Sequence, residues 1–208
     1  MNEGQSTGSS NRLLAEGLCC VRGERILFRG LTFALEPGQS GLLTGPNGVG
    51  KSSLLRLLAG LLQPTAGAVA APDAIALCDD RLALDEHLPF EQALRFWGRL
   101  DGKDKADVAS AMTRAGMAHL AEVPVRYFST GQRQRARLAR IYLTGAKLWL
   151  LDEPANGLDA DSVAQLGAVL QSHLDGGGII LAASHIPLPI SFDINLQLQP
   201  LEEMEAYL

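Results

Sequence analysis

Residues 45–52 read GPNGVGKS, and this stretch decides the fold. Gly45, Gly50, Lys51 and Ser52 fall on the spacing G-x-x-x-x-G-K-[ST], the pattern of a phosphate-binding loop. The pattern has meaning only between a strand and a helix. Both neighbours fit: Ser40 to Thr44 is a short apolar run that reads as a strand. Lys51 to Leu62 carries Leu54, Leu55, Leu58 and Leu62 on one stripe and reads as a helix, ended near Gly60 to Pro64. Glycines let backbone N–H groups wrap phosphates, and the helix N-terminus adds positive potential. The expected nucleotide contacts are Gly45, Pro46, Asn47, Gly48, Val49, Gly50, Lys51, Ser52 and Ser53. Lys51 is expected at the β- and γ-phosphates, and Ser52 on Mg²⁺.

A second chemical element lies about a hundred residues downstream. Leu148 to Pro154 reads LWLLDEP. A continuous apolar strand there suits a parallel sheet covered on both faces. It delivers Asp152 and Glu153 at its C-terminal end, the edge where such sheets bind ligands. Asp152 is expected to hold Mg²⁺, directly or through water. Glu153 is expected to polarise the attacking water as general base.

Working outward, Leu13 to Val21 and Ile26 to Leu35 are strand-like and broken at Arg22-Gly23-Glu24, which predicts antiparallel pairing. Ala66 to Ala70 and Ala74 to Cys78 read as short strands. Between Leu88 and Ala121 the pattern turns helical: Phe90, Leu94 and Trp97 recur at helical spacing, as do Val108, Met112 and Ala115. Gln132 to Leu143 predicts another helix, closed by Gly145. Ser162 to Leu174 predicts a helix stopped by three glycines, Ile179 to Ser184 a buried strand, and Phe192 to Leu198 a last edge strand.

Composition narrows the function classes. The chain has 208 residues, 47% of them hydrophobic, with 18 basic and 23 acidic residues and a net charge of −5. That balance gives no nucleic-acid footprint, so no nucleic-acid partner is expected. Cys19, Cys20 and Cys78 have no metal spacing and suit a reducing compartment. Leu54 to Leu62, the most apolar stretch, is too short to span a bilayer and contains Arg56. The opening MNEGQSTGSSN lacks the order of a signal peptide and reads as a flexible polar tail, residues 1–11. A cytoplasmic protein is expected, with any membrane role supplied by a partner.

Phe128 to Gln132 reads FSTGQ. With it, the motif order resembles that of ABC ATPases: phosphate loop, helical insertion, FSTGQ, LLDEP, Gly157-Leu158-Asp159, then His185 after a strand. The resemblance runs from Leu13 to about Leu198. It implies an α/β fold: a P-loop NTPase (RecA-like) core with an antiparallel β subdomain and an inserted α-helical subdomain. Residues 12–208 would form the single ATPase domain, with the helical subdomain at about 82–145. It also implies a second ATPase subunit, as a homodimer formed on ATP binding, in which the phosphate loop of one copy faces FSTGQ of the other.

Ser129 and Gln132 fit the S-x-x-Q capping box at a helix start, where free N–H groups suit an anion. Within the resemblance, Ser129, Gly131 and Gln132 would contact the γ-phosphate across the dimer; in isolation the pentapeptide is a plain helix cap. Thr130 departs from the glycine commonest at that position. His185 would hydrogen-bond the γ-phosphate. Asp159 is either a contact to the opposing subunit or a helix-start acid ahead of Ser162.

Two further departures stand out. The family's glutamine after the strand that follows the phosphate-loop helix is missing, and residues 76–81 read ALCDDR. Asp80, or Asp79, is the nearest substitute as a metal-site ligand; a solvated turn is the other reading. The family's early aromatic, which stacks on adenine, falls by pattern at Arg22. A guanidinium plane can stack on a base, and an exposed turn arginine is the alternative. Arg133, Arg135, Arg137 and Arg140 on the predicted signature helix read as a solvated or subunit-facing surface.

LCCVRGERILFRGLTF, LLRLLAGLLQPTAG and FSTGQRQRARLARI are similar to the pattern of the haem-exporter ATPases of cytochrome c maturation. That resemblance implies an ATP-hydrolysing subunit coupled to transport and haem handling for c-type cytochromes. It would sit on the cytoplasmic face of the bacterial inner membrane, bound to an integral membrane permease, with ATP and Mg²⁺. An ATPase subunit of another small-cargo transporter would share the catalytic residues. A soluble ABC protein usually carries two cassettes or long insertions.

Overall fold

The computed structural model describes residues 10–200. Of the expected tail, residues 1–9 lie outside the described residues. Two sheets share the chain. Strands β1 (Leu13–Arg22), β2 (Arg25–Leu35) and β4 (Ala66–Ala70) form a three-stranded antiparallel sheet in the order β2-β1-β4. Strands β3 (Ser40–Thr44), β5 (Ile75–Cys78), β6 (Leu148–Asp152), β7 (Ile179–Ala183) and β8 (Ile194–Gln197) form a five-stranded parallel sheet in the order β5-β6-β7-β3-β8. The expected last strand lies at the edge of this sheet.

The parallel strands show why the chain folds this way. Side chains alternate across a strand, so a strand covered on both faces must be apolar throughout. In β6 and β7, Leu148, Leu150, Ile179, Leu181 and Ala183 face one core. Trp149, Leu151, Ile180 and Ala182 face the other. The first core holds the antiparallel sheet and helix α1 (Lys51–Leu58), with Leu13, Leu18, Leu54 and Leu55 fully buried. Each such leucine contributes about 2 kcal/mol relative to exposure.

The second core joins the helical segment to the sheet. Helices α2 (Phe90–Leu100), α3 (Lys105–Arg114), α4 (Thr130–Thr144) and α5 (Ala160–Asp175) all bury residues in it, among them Phe90, Leu94, Val108, Met112, Leu138 and Leu170. Phe90 meets Phe128 edge-on at 5.3 Å between ring centres, so the start of α2 is packed against the residue just before the FSTGQ serine. Pro89 and Pro124 form a bridge beside this contact.

Helix α1 is shorter than the sequence predicts. Leu62 continues the apolar stripe, but the helix stops at Leu58. Gly60 takes φ +73°, its N–H donates to Leu57 O, and the Leu61 N–H donates to Arg56 O. This pair of bonds is a Schellman stop, which only a left-handed residue makes without strain.

Three of the four arginines on α4, Arg133, Arg137 and Arg140, also differ from expectation. Arg133 donates to Glu86 Oε1 at 2.7 Å and to the carbonyls of Phe128 and Arg126. Arg140 lies over the Trp97 ring at 4.0 Å from its centre. Arg137 bonds inside the chain as well. Amphipathic reading sees the charges on the helix face but not the acceptors that distant segments bring to them.

Candidate active site

Parallel strands end at one edge of their sheet, and β7 lies between β3 and β6. The residues after these three strands therefore converge. Thr44 leads into the phosphate loop, Asp152 and Glu153 follow β6, and His185 follows β7 after Ser184. A cleft of about 360 Å³ opens there, lined by Asn47, Gly48, Gly50, Lys51, Ser52, Ser53, Asp152, Glu153 and His185, with Arg22 and Leu27 from the antiparallel sheet.

The loop is shaped as a cradle. Gly50 precedes α1 at φ +118°, and a Cβ there would sit 3.1 Å from Leu27 Cβ. At Gly45, φ is +138°, and a Cβ would lie 2.4 Å from the Leu198 carbonyl oxygen. A side chain is excluded at Gly45 by conformation and by space, and at Gly50 it is strained by conformation and tight against Leu27. Helix α1 has no side-chain cap, so the N–H groups of its first residues are left for an anion. Pro46 is exposed in the loop, while Val49 is buried beneath it at 2% exposure and faces the core instead of the cleft.

Lys51 is buried, and its Nζ donates to the Gly45 carbonyl at 2.7 Å and the Pro46 carbonyl at 3.2 Å. His185 Nε2 lies 3.2 Å from this ammonium and 3.0 Å from Asn47 Oδ1. The two contacts require opposite proton placements. An ammonium only donates, so it needs a bare Nε2, whereas Oδ1 needs a protonated one. His185 is thus poised to take either tautomer. Glu153 joins the group: its Oε2 accepts from the His185 backbone N–H at 3.2 Å, and its Oε1 is 3.6 Å from Nε2.

Glu153 has φ +49°, the one positive value at a non-glycine residue among those described. Left-handed backbone at a glutamate costs of order 1 kcal/mol and persists where surrounding bonds impose it. Here its N–H donates to the Ala183 carbonyl at 2.8 Å. Its own carbonyl and that of Pro154 accept from Gln134 Nε2, at 3.4 and 2.9 Å. Gln134 is 4% exposed and was not singled out in the sequence; a buried amide on a charged helix face was the available signal.

A second cleft of about 480 Å³ shares Ser52, Asp152 and Glu153 with the first, and adds Asp80, Thr130, Arg137 and Asn156. Asp80 is thus near the expected metal side. Its carboxylate, however, is paired with Arg56 at 3.2 Å, as is that of Asp79. No group of three or more metal-ligating side chains of His, Cys, Asp and Glu occurs among the described residues. For Mg²⁺ this donor set still fits: such a site needs a hydroxyl, one carboxylate, phosphate oxygens and waters, which Ser52 and Asp152 beside the cradle can complete.

Ser129, Gly131 and Gln132 do not line the nucleotide cleft. They form the expected capping box, with Ser129 Oγ accepting from the Gln132 N–H at 3.3 Å and Gln132 Oε1 accepting from the Ser129 N–H at 2.9 Å. Ser129 and Thr130 are exposed. A Cβ on Gly131 would stand 2.9 Å from the Gly157 carbonyl, which accounts for glycine there. Asp159 caps α5 through the Ser162 N–H at 2.8 Å, and this bond holds its carboxyl below the usual range.

The geometry defines a class: a phosphate cradle, a carboxylate pair on the adjoining strand end and a separate exposed helix cap. Residues 28–156 match the ABC transporter family, and the chain belongs to it. It is 51% identical over 180 residues to the cytochrome c biogenesis ATP-binding export protein CcmA of Novosphingobium aromaticivorans, covering 86% of this chain and 91% of that protein. The protein of the same name from Zymomonas mobilis is 48% identical over 188 residues, covering 90% and 85%. The chain is an ABC ATP-binding subunit like these proteins.

Solved structures agree on the fold. An ATP-binding protein from Pyrococcus furiosus, assigned as an ABC transporter, superposes with a TM-score of 0.78 at 24% identity, covering 90% of this chain and 97% of that one. The cbiO1 component of the cbiONQ transporter of Clostridium perfringens gives 0.70 at 25% identity, covering 84% and 78%. No helix among the described residues is long and apolar enough to cross a membrane.

Proposed function

We propose that this chain is the ATP-hydrolysing subunit of an ABC transporter complex that serves c-type cytochrome biogenesis and powers haem handling there. The observation that carries the chemistry is the junction of Lys51, Glu153 and His185 in one cleft beside Ser52 and Asp152. The biological setting rests on the CcmA relatives, whose printed name is that of a cytochrome c biogenesis ATP-binding export protein.

In this reading the loop N–H groups from Gly45 to Gly50 and the start of α1 hold the ATP phosphates. Lys51 moves from the Gly45 and Pro46 carbonyls to the β- and γ-phosphate oxygens. Ser52 and Asp152 would hold Mg²⁺, which when bound would supply charge neutralisation at the phosphates. Asp80 keeps one carboxylate oxygen, Oδ2, outside its pair with Arg56. Glu153 takes a proton from the attacking water. His185 donates to the γ-phosphate once its Nε2 is protonated, and returns to Lys51 when the phosphate is gone. Arg22 and Leu27 line the adenine side of the cleft, where the guanidinium plane stacks on the base.

The site is completed by a second copy. Ser129, Gly131 and Gln132 are exposed or half-buried and lie apart from their own chain's cleft, which supports the reading that the helix N-terminus they cap serves the partner's γ-phosphate. ATP binding closes the homodimer; hydrolysis opens it and moves an integral membrane permease. No helix among the described residues is long and apolar enough to cross a membrane; in this reading the chain attaches peripherally, at the cytoplasmic face of the inner membrane. Residues 12–208 act as one ATPase domain with residues 82–145 as its helical part.

Co-purification from native membranes tests the setting. Recovery of a cytochrome-maturation membrane subunit is expected; recovery of an unrelated permease contradicts the assignment.

A further inference from the structure

We propose that Arg137 and Gln134 on α4 are positioning residues for hydrolysis: they set the turn that carries Glu153 and tie it to the loop after β5. The proposal rests on Glu153 acting as the general base.

Gln134 is buried, and its amide orientation is fixed by its partners. Arg137 Nη1 donates to Oε1 at 2.8 Å, which leaves Nε2 facing the Glu153 and Pro154 carbonyls at 3.4 and 2.9 Å. Arginine has only donors, so the amide cannot reverse without placing two donors together. The other arm of the fork, Arg137 Nη2, donates to the Asp80 carbonyl at 2.7 Å. Arg137 Nε is buried without a partner, so the side chain is held by its two terminal contacts against a desolvation cost.

The far end of the relay is also fastened. Arg56, on the helix that begins with Lys51, pairs with Asp79 and Asp80 at 3.2 Å each. A closed path therefore runs from α1 to the 79–80 loop, through Arg137 and Gln134, to the Glu153 turn. Arg137, Gln134, Ser52, Asp152 and Glu153 line one cleft wall system, so the relay borders the metal and water side of the site. The turn is the segment that needs fixing, because Glu153 sits at φ +49°. Released from Gln134, the turn relaxes and its carboxylate shifts away from the attacking water. That changes turnover and leaves the phosphate cradle intact.

The test uses the full chain with its membrane subunits. Gln134→Met and Arg137→Met keep bulk and remove the hydrogen bonds. Each is expected to lower kcat roughly 10–100-fold, the scale of a small misplacement of a reacting group. The KM for ATP and the melting temperature stay near wild type, and the double variant loses no more than the worse single one. Arg137→Lys, which keeps the charge and donors but replaces the planar two-nitrogen fork with a single nitrogen, restores part of kcat. Turnover within about twofold of wild type in both methionine variants, or kcat and ATP affinity falling together with melting temperature, overturns the relay. Glu153→Gln is measured alongside. Lost turnover there with normal methionine variants rejects the relay alone, and normal turnover there rejects the base assignment.

Discussion

The His185 backbone N–H donates to Glu153 Oε2 at 3.2 Å, joining the ends of β7 and β6. The bond uses main chain on one side, so it does not depend on the side chain at 185 unless proline removes the N–H. The imidazole itself faces Lys51 and Asn47. His185→Ala should therefore leave ATP affinity near wild type while lowering kcat by roughly 10²–10⁴, the usual worth of a positioned proton donor or acceptor. Steady-state ATPase kinetics with a separate nucleotide-binding measurement check the split. Equal loss in binding and turnover would assign the imidazole to the cradle instead.

Lys51→Ala removes the ammonium that now bridges the Gly45 and Pro46 carbonyls and His185. Turnover should fall below detection and ATP affinity should drop. Gly50→Ala should give a similar loss of binding for a different reason, since its φ of +118° and the contact to Leu27 both resist a Cβ. Equilibrium binding of a fluorescent ATP analogue reads both.

Chelation of Mg²⁺ should abolish hydrolysis. Asp80→Ala keeps the backbone carbonyl that Arg137 uses, so it probes the carboxylate alone. If that carboxylate supports the metal, the Mg²⁺ concentration for half-maximal turnover rises by about tenfold, the lower range for an outer contact. An unchanged requirement assigns Asp80 to Arg56 only.

Phe90→Ala empties a site with 0% exposure and ends the edge-on contact with Phe128. A cost of about 3–5 kcal/mol, or a fall in Tm of roughly 10 °C, is expected. Because Phe128 immediately precedes the Ser129 cap, ATP-driven dimerisation should weaken as well. Thermal melts and size-exclusion chromatography with ATP test the two effects.

His173 gives a pH dependence of stability. It stacks on Trp149 at 3.7 Å, and burial pushes its pKa down from 6.5 to about 4. The unfolded chain thus takes up a proton first as pH falls. The stabilising contribution is complete above about pH 6.5, is lost progressively toward pH 4, and changes no further below it. His173→Phe should flatten that part of the acid limb in chemical-denaturation curves; an identical limb would place the sensitivity elsewhere.

The sequence exposed the sheet because its signals are local. Residues 148–151 and 179–183 are continuous apolar runs, residues 40–44 have an apolar centre at 41–43, and the two cores claim alternate residues of β6 and β7. The phosphate loop was legible for the same reason, since its pattern needs only the strand before and the helix after. What escaped was non-local. Arg133 finds Glu86 and Arg137 finds Asp80 across 47 and 57 residues, and Gln134 finds Pro154 across 20. A helix face shows such groups as charge or amide, without saying which carbonyl lies opposite. The stop of α1 near Gly60 was legible, but the apolar stripe to Leu62 outlasts the hydrogen bonds that Gly60 redirects.

The central claim is that Glu153, held in a left-handed turn between Ala183, His185 and Gln134, activates water at a site closed by a second copy. Glu153→Gln keeps the size of the side chain and removes its basicity. The most direct measurement is ATP turnover by this variant together with its mass in solution with ATP and Mg²⁺. The account predicts lost turnover, retained ATP and an accumulated dimer. Hydrolysis at the wild-type rate, or a monomer with ATP bound, would contradict it.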